Sequence, residues 1–188
     1  EMIENRSDYD DERMNLYLEG QEVPEDMLRR TIRKAAISLK IVPVMCGSAF
    51  KNKGVQPLLD AVVAYLPSPM DMPPLIAHDP DELEKEIEIH PSVDAPFSAL
   101  AFKIMVDPFV GRLAFCRIYS GSIENGMSIY NTNTRRRERV GRILRMHANK
   151  REELESAQAG LIVAIPGLKQ VRTGDTLCDE KNPVLLEN

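Results

Sequence analysis

Apolar positions along the first third of the chain recur at helical spacing. Ser7, Asp8, Asp10, Asp11 and Glu12 supply capping and acidic first-turn residues ahead of Met14, Leu16, Tyr17 and Leu18, predicting a short helix that Gly20 stops. Pro24 suits a helix start. Leu28, Ile32, Ala35 and Leu39 then fall on one face, and Val55, Leu58, Leu59, Val62, Val63 and Leu66 on another, the second pattern ending at Pro67-Ser68-Pro69. Between these helices, Ile41-Val42-Pro43-Val44-Met45-Cys46 is apolar, β-branched at its start and bounded by Gly47-Ser48, which predicts a buried strand. Helix, strand, loop and helix in this order belong to an α/β sheet.

From Pro67 to Pro96 the texture turns to proline and acid, predicting an extended connector; within it, Asp81 to Ile89 fits either a turn of helix or a solvated acidic stretch. Beyond Pro96 the period shortens. Apolar runs at Phe97–Val106, Leu113–Tyr119, Met127–Tyr130, Arg139–Met146 and Leu161–Ile165 alternate with turn residues at Asp107-Pro108-Phe109-Val110-Gly111, Ser120-Gly121, Glu124-Asn125-Gly126 and Ala159-Gly160. Short strands at this spacing predict a closed antiparallel barrel, which leaves no exposed sheet edge.

With 43% apolar residues in 188, the chain can bury one ordinary core or two small ones. Its apolar runs are too short to span a bilayer and no basic-then-apolar leader opens it, so a cytoplasmic protein is expected. Glu1 opens a helix-rich stretch without an initiator Met, so a portion of a longer protein is expected. The net charge of −5 conceals an asymmetry: residues 1–95 carry 10 Lys/Arg against 19 Asp/Glu, and residues 96–188 carry 14 against 10. Halves of opposite sign suit different partners.

Catalytic and metal chemistry find little support. Cys46, Cys116 and Cys178 match no metal spacing and read as buried free thiols, and His78, His90 and His147 stand apart from one another. No Gly-x-x-x-x-Gly-Lys-Ser/Thr loop occurs, so no phosphate cradle with its lysine and magnesium hydroxyl is encoded. Asn52-Lys53-Gly54-Val55 starts like the guanine-reading Asn-Lys-x-Asp motif, but Val55 cannot accept the two N–H donors of guanine. What remains is Gly47-Ser48-Ala49-Phe50, between the predicted strand and helix, where α/β sheets place ligands. In the barrel, Arg135, Arg136, Arg137, Arg139, Arg142, Arg145, Lys150 and Arg151 form a basic run interrupted by Glu138. Phosphate contacts and plain solvation of a strand face both fit it.

Longer strings carry a more specific signal. Gly47-Ser-Ala-Phe-Lys-Asn-Lys-Gly-Val-Gln56 followed by Leu58-Leu-Asp-Ala-Val-Val-Ala-Tyr-Leu-Pro-Ser-Pro69 closely resembles the last motif and helix of the G domain in elongation factor G, a translational GTPase. The resemblance continues, in that family's order, through Phe97–Lys103, Asp107–Gly111, Arg117–Gly121, Met146–Glu152 and Thr173–Leu177 of its second domain. Tyr17-Leu-Glu-Gly20 looks like the end of the helical insert carried inside that G domain.

The resemblance implies a mixed α/β chain: residues 1–69 as the end of a P-loop-type G domain with its insert, 70–95 as linker, and 96–188 as an antiparallel domain II barrel expected to fold alone. Ser48 and Ala49, with Phe50 in third place, match the family's guanine-base loop, in which the Ala N–H meets the guanine carbonyl and the Ser steadies the turn. GTP or GDP with Mg is implied for the intact protein, none bound to this chain, and no catalytic residue lies within it. Implied partners are the ribosome, through small-subunit rRNA at the barrel and a large-subunit stalk protein at the insert, with tRNA and mRNA moved indirectly by translocation. The acidic residues Asp8 to Asp26 fit such docking or a solvated face equally. A paralogous translational GTPase (ribosome-protection, release or recycling factor) and a free-standing, non-catalytic RNA- or protein-binding barrel are the competing readings.

Overall fold

The computed structural model describes residues 24–108, 110–147 and 150–186, and the chain divides into two units between Met72 and Pro73. The helix expected over 7–18, and with it the insert, lies outside the described residues.

In the first unit, α1 (Glu25–Ile37) starts at Pro24, with Glu25 and Asp26 in its first turn and Lys34 in its last, charges that complement the helix dipole. Arg29 pairs with Glu25 at 2.7 Å and Arg30 with Asp26, each one turn apart. Thr31, Ile32 and Ala35 are buried. Leu39, predicted on the same face, instead sits past the helix end with φ +57° and is 90% exposed. Its N–H donates to Ala36 O at 3.0 Å and that of Lys40 to Ala35 O at 3.0 Å, closing the helix with a left-handed cap that usually calls for glycine.

The strand predicted at Ile41–Cys46 does not form. Residues 41–47 are irregular, and Val42 and Val44 are among the most exposed apolar side chains. A strand requires a neighbour for its N–H and C=O groups, and none lies beside it among the described residues. The second helix, α2 (Val55–Tyr65), matches its predicted span yet buries none of its residues. A short 3-10 turn at Pro69–Asp71 follows, capped reciprocally by Ser68 and Asp71. Arg33 ties the unit together by donating to Ala64 O at 2.9 Å and to Asp71 Oδ2 at 2.5 Å.

The second unit begins earlier than the sequence pattern placed the barrel. Within the expected connector, β1 (Leu75–His78) and β2 (Glu86–Ile89) pair as an antiparallel hairpin, so the acidic stretch is a strand and a turn, not helix. Lys85 closes that turn on Asp79 at 2.9 Å. His78 exchanges backbone hydrogen bonds with Leu185 at 2.9 and 2.8 Å, and Ala77 packs with Leu100, Cys178, Val184 and Leu186.

The rest is all antiparallel: β3 (Ser98–Asp107), β4 (Gly111–Ser120), β5 (Ser122–Glu124), β6 (Ser128–Asn131), β7 (Arg136–Arg139), β8 (Ile143–His147), β9 (Lys150–Leu154), β10 (Ser156–Gln158), β11 (Ile162–Pro166) and β12 (Asp175–Cys178). Eight strands run in the order β7-β6-β12-β3-β4-β11-β8-β9. The separate β5–β10 pair bridges the two ends of this ladder: Asn125 N–H donates to Glu155 O at 3.1 Å, and Gly126 N–H to Val140 O at 2.8 Å. The predicted strand Arg139–Met146 is two strands, parted at residues 140–142. Alternation sends Ala114, Cys116 and Ile118 of β4 into the main core with Ile123, Ile129, Val140, Ile143, Val163, Ile165 and Leu177, while Leu113 packs on the opposite face against Leu144 and Ala164. Gly121 has φ +69°, and a Cβ there would lie 2.6 Å from Ala95 O, so only glycine lets the entering chain cross the β4–β5 corner.

Candidate functional site

The loop 48–53 is a tight ring. Ser48 N–H donates to Lys53 O at 2.9 Å and Lys53 N–H returns to Ser48 O at 3.0 Å, while Asn52 N–H closes on Ala49 O at 3.0 Å. Gly47 and Gly54 pinch its base: a Cβ on Gly47 would lie 2.9 Å from Lys53 O, and one on Gly54, whose φ is +78°, 2.9 Å from Cys46 O. Ser48 is held at the neck, Ala49 is exposed, and Phe50 projects fully into solvent. The N–H groups of Ala49 and Phe50 donate to no acceptor among the described residues. Two adjacent free amides on a rigid turn can meet a carbonyl or another acceptor.

The basic run does not form one free face. Arg136, Arg137 and Arg139 lie on β7 at one end of the ladder, Arg145 on β8, and Lys150 and Arg151 on β9 at the other end. Most are engaged: Arg135 with Asp81 at 2.7 Å, Arg137 with Glu180 at 2.6 Å, Arg145 with Glu152 at 2.7 Å and Arg151 with Asp107 at 2.6 Å. Arg139 donates to Gly126 O at 3.2 Å. Arg142 and Lys150 alone of the run make no such bond among the described residues.

Residues outside the run collect beside one part of it. Arg112 at the start of β4, Thr134 and Arg136 around the β6–β7 turn, and Lys169, Gln170 and Arg172 from the loop after β11 line a cleft of about 460 Å³. The loop is fixed from three directions. Arg112 donates to Lys169 O at 3.1 Å and to Val171 O, Arg136 to Gln170 Oε1 at 2.7 Å, and the Glu138 carboxylate accepts the N–H groups of Lys169 and Gln170 at 2.6 and 3.0 Å. Arg172 N–H donates to Asp175 Oδ2 at 2.8 Å. The lone acid of the run is thus a clamp for backbone.

Residues 111–178 match the family model of elongation factor Tu domain 2. A crystal structure of a protein from Thermus thermophilus is similar over 96% of this chain with a TM-score of 0.69 and 26% identity. The chain spans 24% of that protein's length. The barrel therefore has a fold like that of elongation factor Tu domain 2. Among the described residues, no helix is long and apolar enough to cross a membrane.

Proposed function

We propose that this chain is the part of an elongation factor G-type GTPase that joins the end of the G domain to domain II, and that it works in the cytoplasm on the ribosome. The observation that carries this reading is the translation-factor barrel at 111–178, preceded in one chain by a pinched Gly-Ser-Ala-Phe loop and a helix. In the intact protein, GTP with Mg would supply the hydrolysis that drives translocation. Here the fit is partial. Ala49 offers a free N–H for the guanine carbonyl and Ser48 holds the turn, while Phe50 stands beside them; the phosphate-binding residues are not encoded in this sequence. The exposed apolar positions Leu58, Leu59, Val62 and Val63 on α2, with Val42 and Val44 before it, support docking against further strands and helices of a G domain. The barrel's basic residues support contact with small-subunit rRNA, and the acidic residues before Asp26 support contact with a stalk protein.

Co-sedimentation tests the reading. The chain is expected to pellet with small ribosomal subunits at low salt and to be released as salt rises, without hydrolysing GTP. Failure to pellet at low salt, or GTP turnover by the chain with ribosomes, overturns it.

A further inference from the structure

We propose that the outer edge of β2 takes up an extended segment of a basic protein as an added antiparallel strand, one in which lysine or arginine alternates with small apolar residues. The site belongs to the β1–β2 hairpin and does not depend on the ribosome reading.

Backbone alternation opens this edge. Asp79 N–H donates to Lys85 O at 3.0 Å, and in the same register His78 stands opposite Glu86, Ala77 opposite Ile87, Ile76 opposite Glu88 and Leu75 opposite Ile89. Antiparallel pairs alternate between bonded and non-bonded, so the pairs Ala77–Ile87 and Leu75–Ile89 carry the ladder bonds. His78 accordingly turns its backbone away from β2, where it exchanges bonds with Leu185 at 2.9 and 2.8 Å. Glu86 and Glu88 turn theirs away from β1, and these N–H and C=O groups meet no backbone partner among the described residues.

Beside that edge lies a groove of about 280 Å³, walled by Ile87, Ile89, Pro96, Phe97, Pro183 and Val184. On an added strand, alternate side chains enter this apolar space while the others lie on the face of Glu86 and Glu88. Carboxylates that merely guard a short edge against pairing need no such groove.

Charge selects the occupant. Residues 81–89 carry five carboxylates and one lysine. Lys85 is held by Asp79 and Asp81 by Arg135, whereas Glu82, Glu84 and Glu86 form no ion pair among the described residues and Glu88 has only His90, 3.5 Å away. A nucleic acid is repelled here. A second copy adding its β2 to this one sets glutamate beside glutamate, which also disfavours pairing. A basic strand gains at both positions.

The test uses the full chain and a fluorescent, end-blocked heptapeptide of alternating lysine and valine, with binding read by anisotropy and amide exchange by NMR. Wild type is expected to bind it, and the Glu86 and Glu88 amides, fast-exchanging alone, are expected to slow at least tenfold at saturation. Glu86→Lys with Glu88→Lys is expected to weaken binding roughly tenfold and to confer binding of the matching glutamate–valine peptide. Glu88→Pro removes an outward N–H and no ladder bond, so several-fold weakening is expected. In an antiparallel pair the residues opposite Glu86 and Glu88 face them with backbone and side chain together, so N-methylation of the lysine amides should abolish binding and that of the valine amides should spare it.

No binding by wild type overturns the proposal. A peptide with its lysines in one block that binds as tightly as the alternating one would reduce the contact to bulk charge, and equal binding of the two methylated peptides would remove the main-chain pairing; either result is fatal. Slow exchange of Glu86 and Glu88 in concentrated protein without peptide assigns the edge to a second copy instead. Should Glu88→Pro unfold the hairpin, the methylated peptides on wild type still decide.

Discussion

Asn131 donates its side-chain amide to the Asp175 carboxylate at 2.7 Å between the adjacent strands β6 and β12, and both residues are buried. The pair also sets the two loops that form the cleft. Asn131 Oδ1 accepts the Thr134 N–H at 3.0 Å, and Asp175 Oδ2 accepts the Arg172 N–H at 2.8 Å. One buried amide therefore governs where Thr134 and Arg172 stand.

Asn131→Ala leaves the Asp175 carboxylate buried with one donor fewer and frees the Thr134 turn. A loss of about 2 kcal/mol is expected, lowering the melting temperature of the barrel by roughly 8 °C. Thermal unfolding followed by near-ultraviolet circular dichroism measures it, and an unchanged melting temperature would show the pair to be incidental.

The three thiols should separate cleanly by reactivity. Burial pushes Cys116 up to about 12 and also raises Cys178, the Thr132 hydroxyl 3.2 Å away opposing that rise in part. Cys46 is exposed, against the expectation that all three are buried. Since the thiolate is the nucleophile, iodoacetamide near pH 8 is expected to label Cys46 in the native protein and all three cysteines only after denaturation. Peptide mass spectrometry reads the sites, and early labelling of Cys116 would contradict the packing of β4.

Asp71 is drawn down to about 2, first by the Ser68 N–H, then by the Ser68 hydroxyl and the Arg33 guanidinium. A depressed carboxylate stabilises the fold fully above its ordinary value of 3.8, and that contribution fades as pH falls from there through about 2. Carboxyl-carbon NMR should place its midpoint near the lower figure, and Ser68→Ala should move it upward. A midpoint at the ordinary value in the wild type would mean that the Ser68 and Arg33 contacts do not persist in solution.

Residues 24–72 are expected to exchange and to be cut before the barrel. α2 buries no side chain, while Ile118, Ile165 and Leu177 are sealed inside the second unit. Local opening should therefore cost far less in α2 than in β4 or β12. Hydrogen exchange read by mass spectrometry compares them directly, and equal protection of α2 and β4 would refute the difference.

The barrel was legible because its turns advertise themselves: Asp107-Pro108 with Gly111, and Asn125-Gly126, both separate the runs that become strands. Both helices were legible for the same reason, a periodic stripe with a proline near its start or end. Ile41–Cys46 misled because an apolar run reports that something should cover it, not that a partner strand is at hand. Leu39 misled because its i+4 spacing from Ala35 says nothing of a left-handed cap. The hairpin carried its own signal in Glu86-Ile87-Glu88-Ile89, a strict alternation that the surrounding prolines obscured. For the candidate sites, Ser48 to Phe50 could be assigned to a loop from local pattern alone. The cleft could not, since Arg112 reaches Val171 across 59 positions and only the β4–β11 pairing brings them together. Nor does a count of arginines reveal that Asp81, Asp107, Glu152 and Glu180 already neutralise four of them.

The hairpin seated on the barrel decides where the chain can be shortened. Starting a smaller protein at Pro96, where composition changes, would strip Ala77 from Leu100, Cys178, Val184 and Leu186 and leave Leu185 without the backbone of His78. The outcome would be a sticky apolar scar and a frayed carboxyl end. Beginning at Pro73 keeps that seam shut, so the piece suited to crystals or isotope labelling is 23 residues longer than the proline pattern suggests.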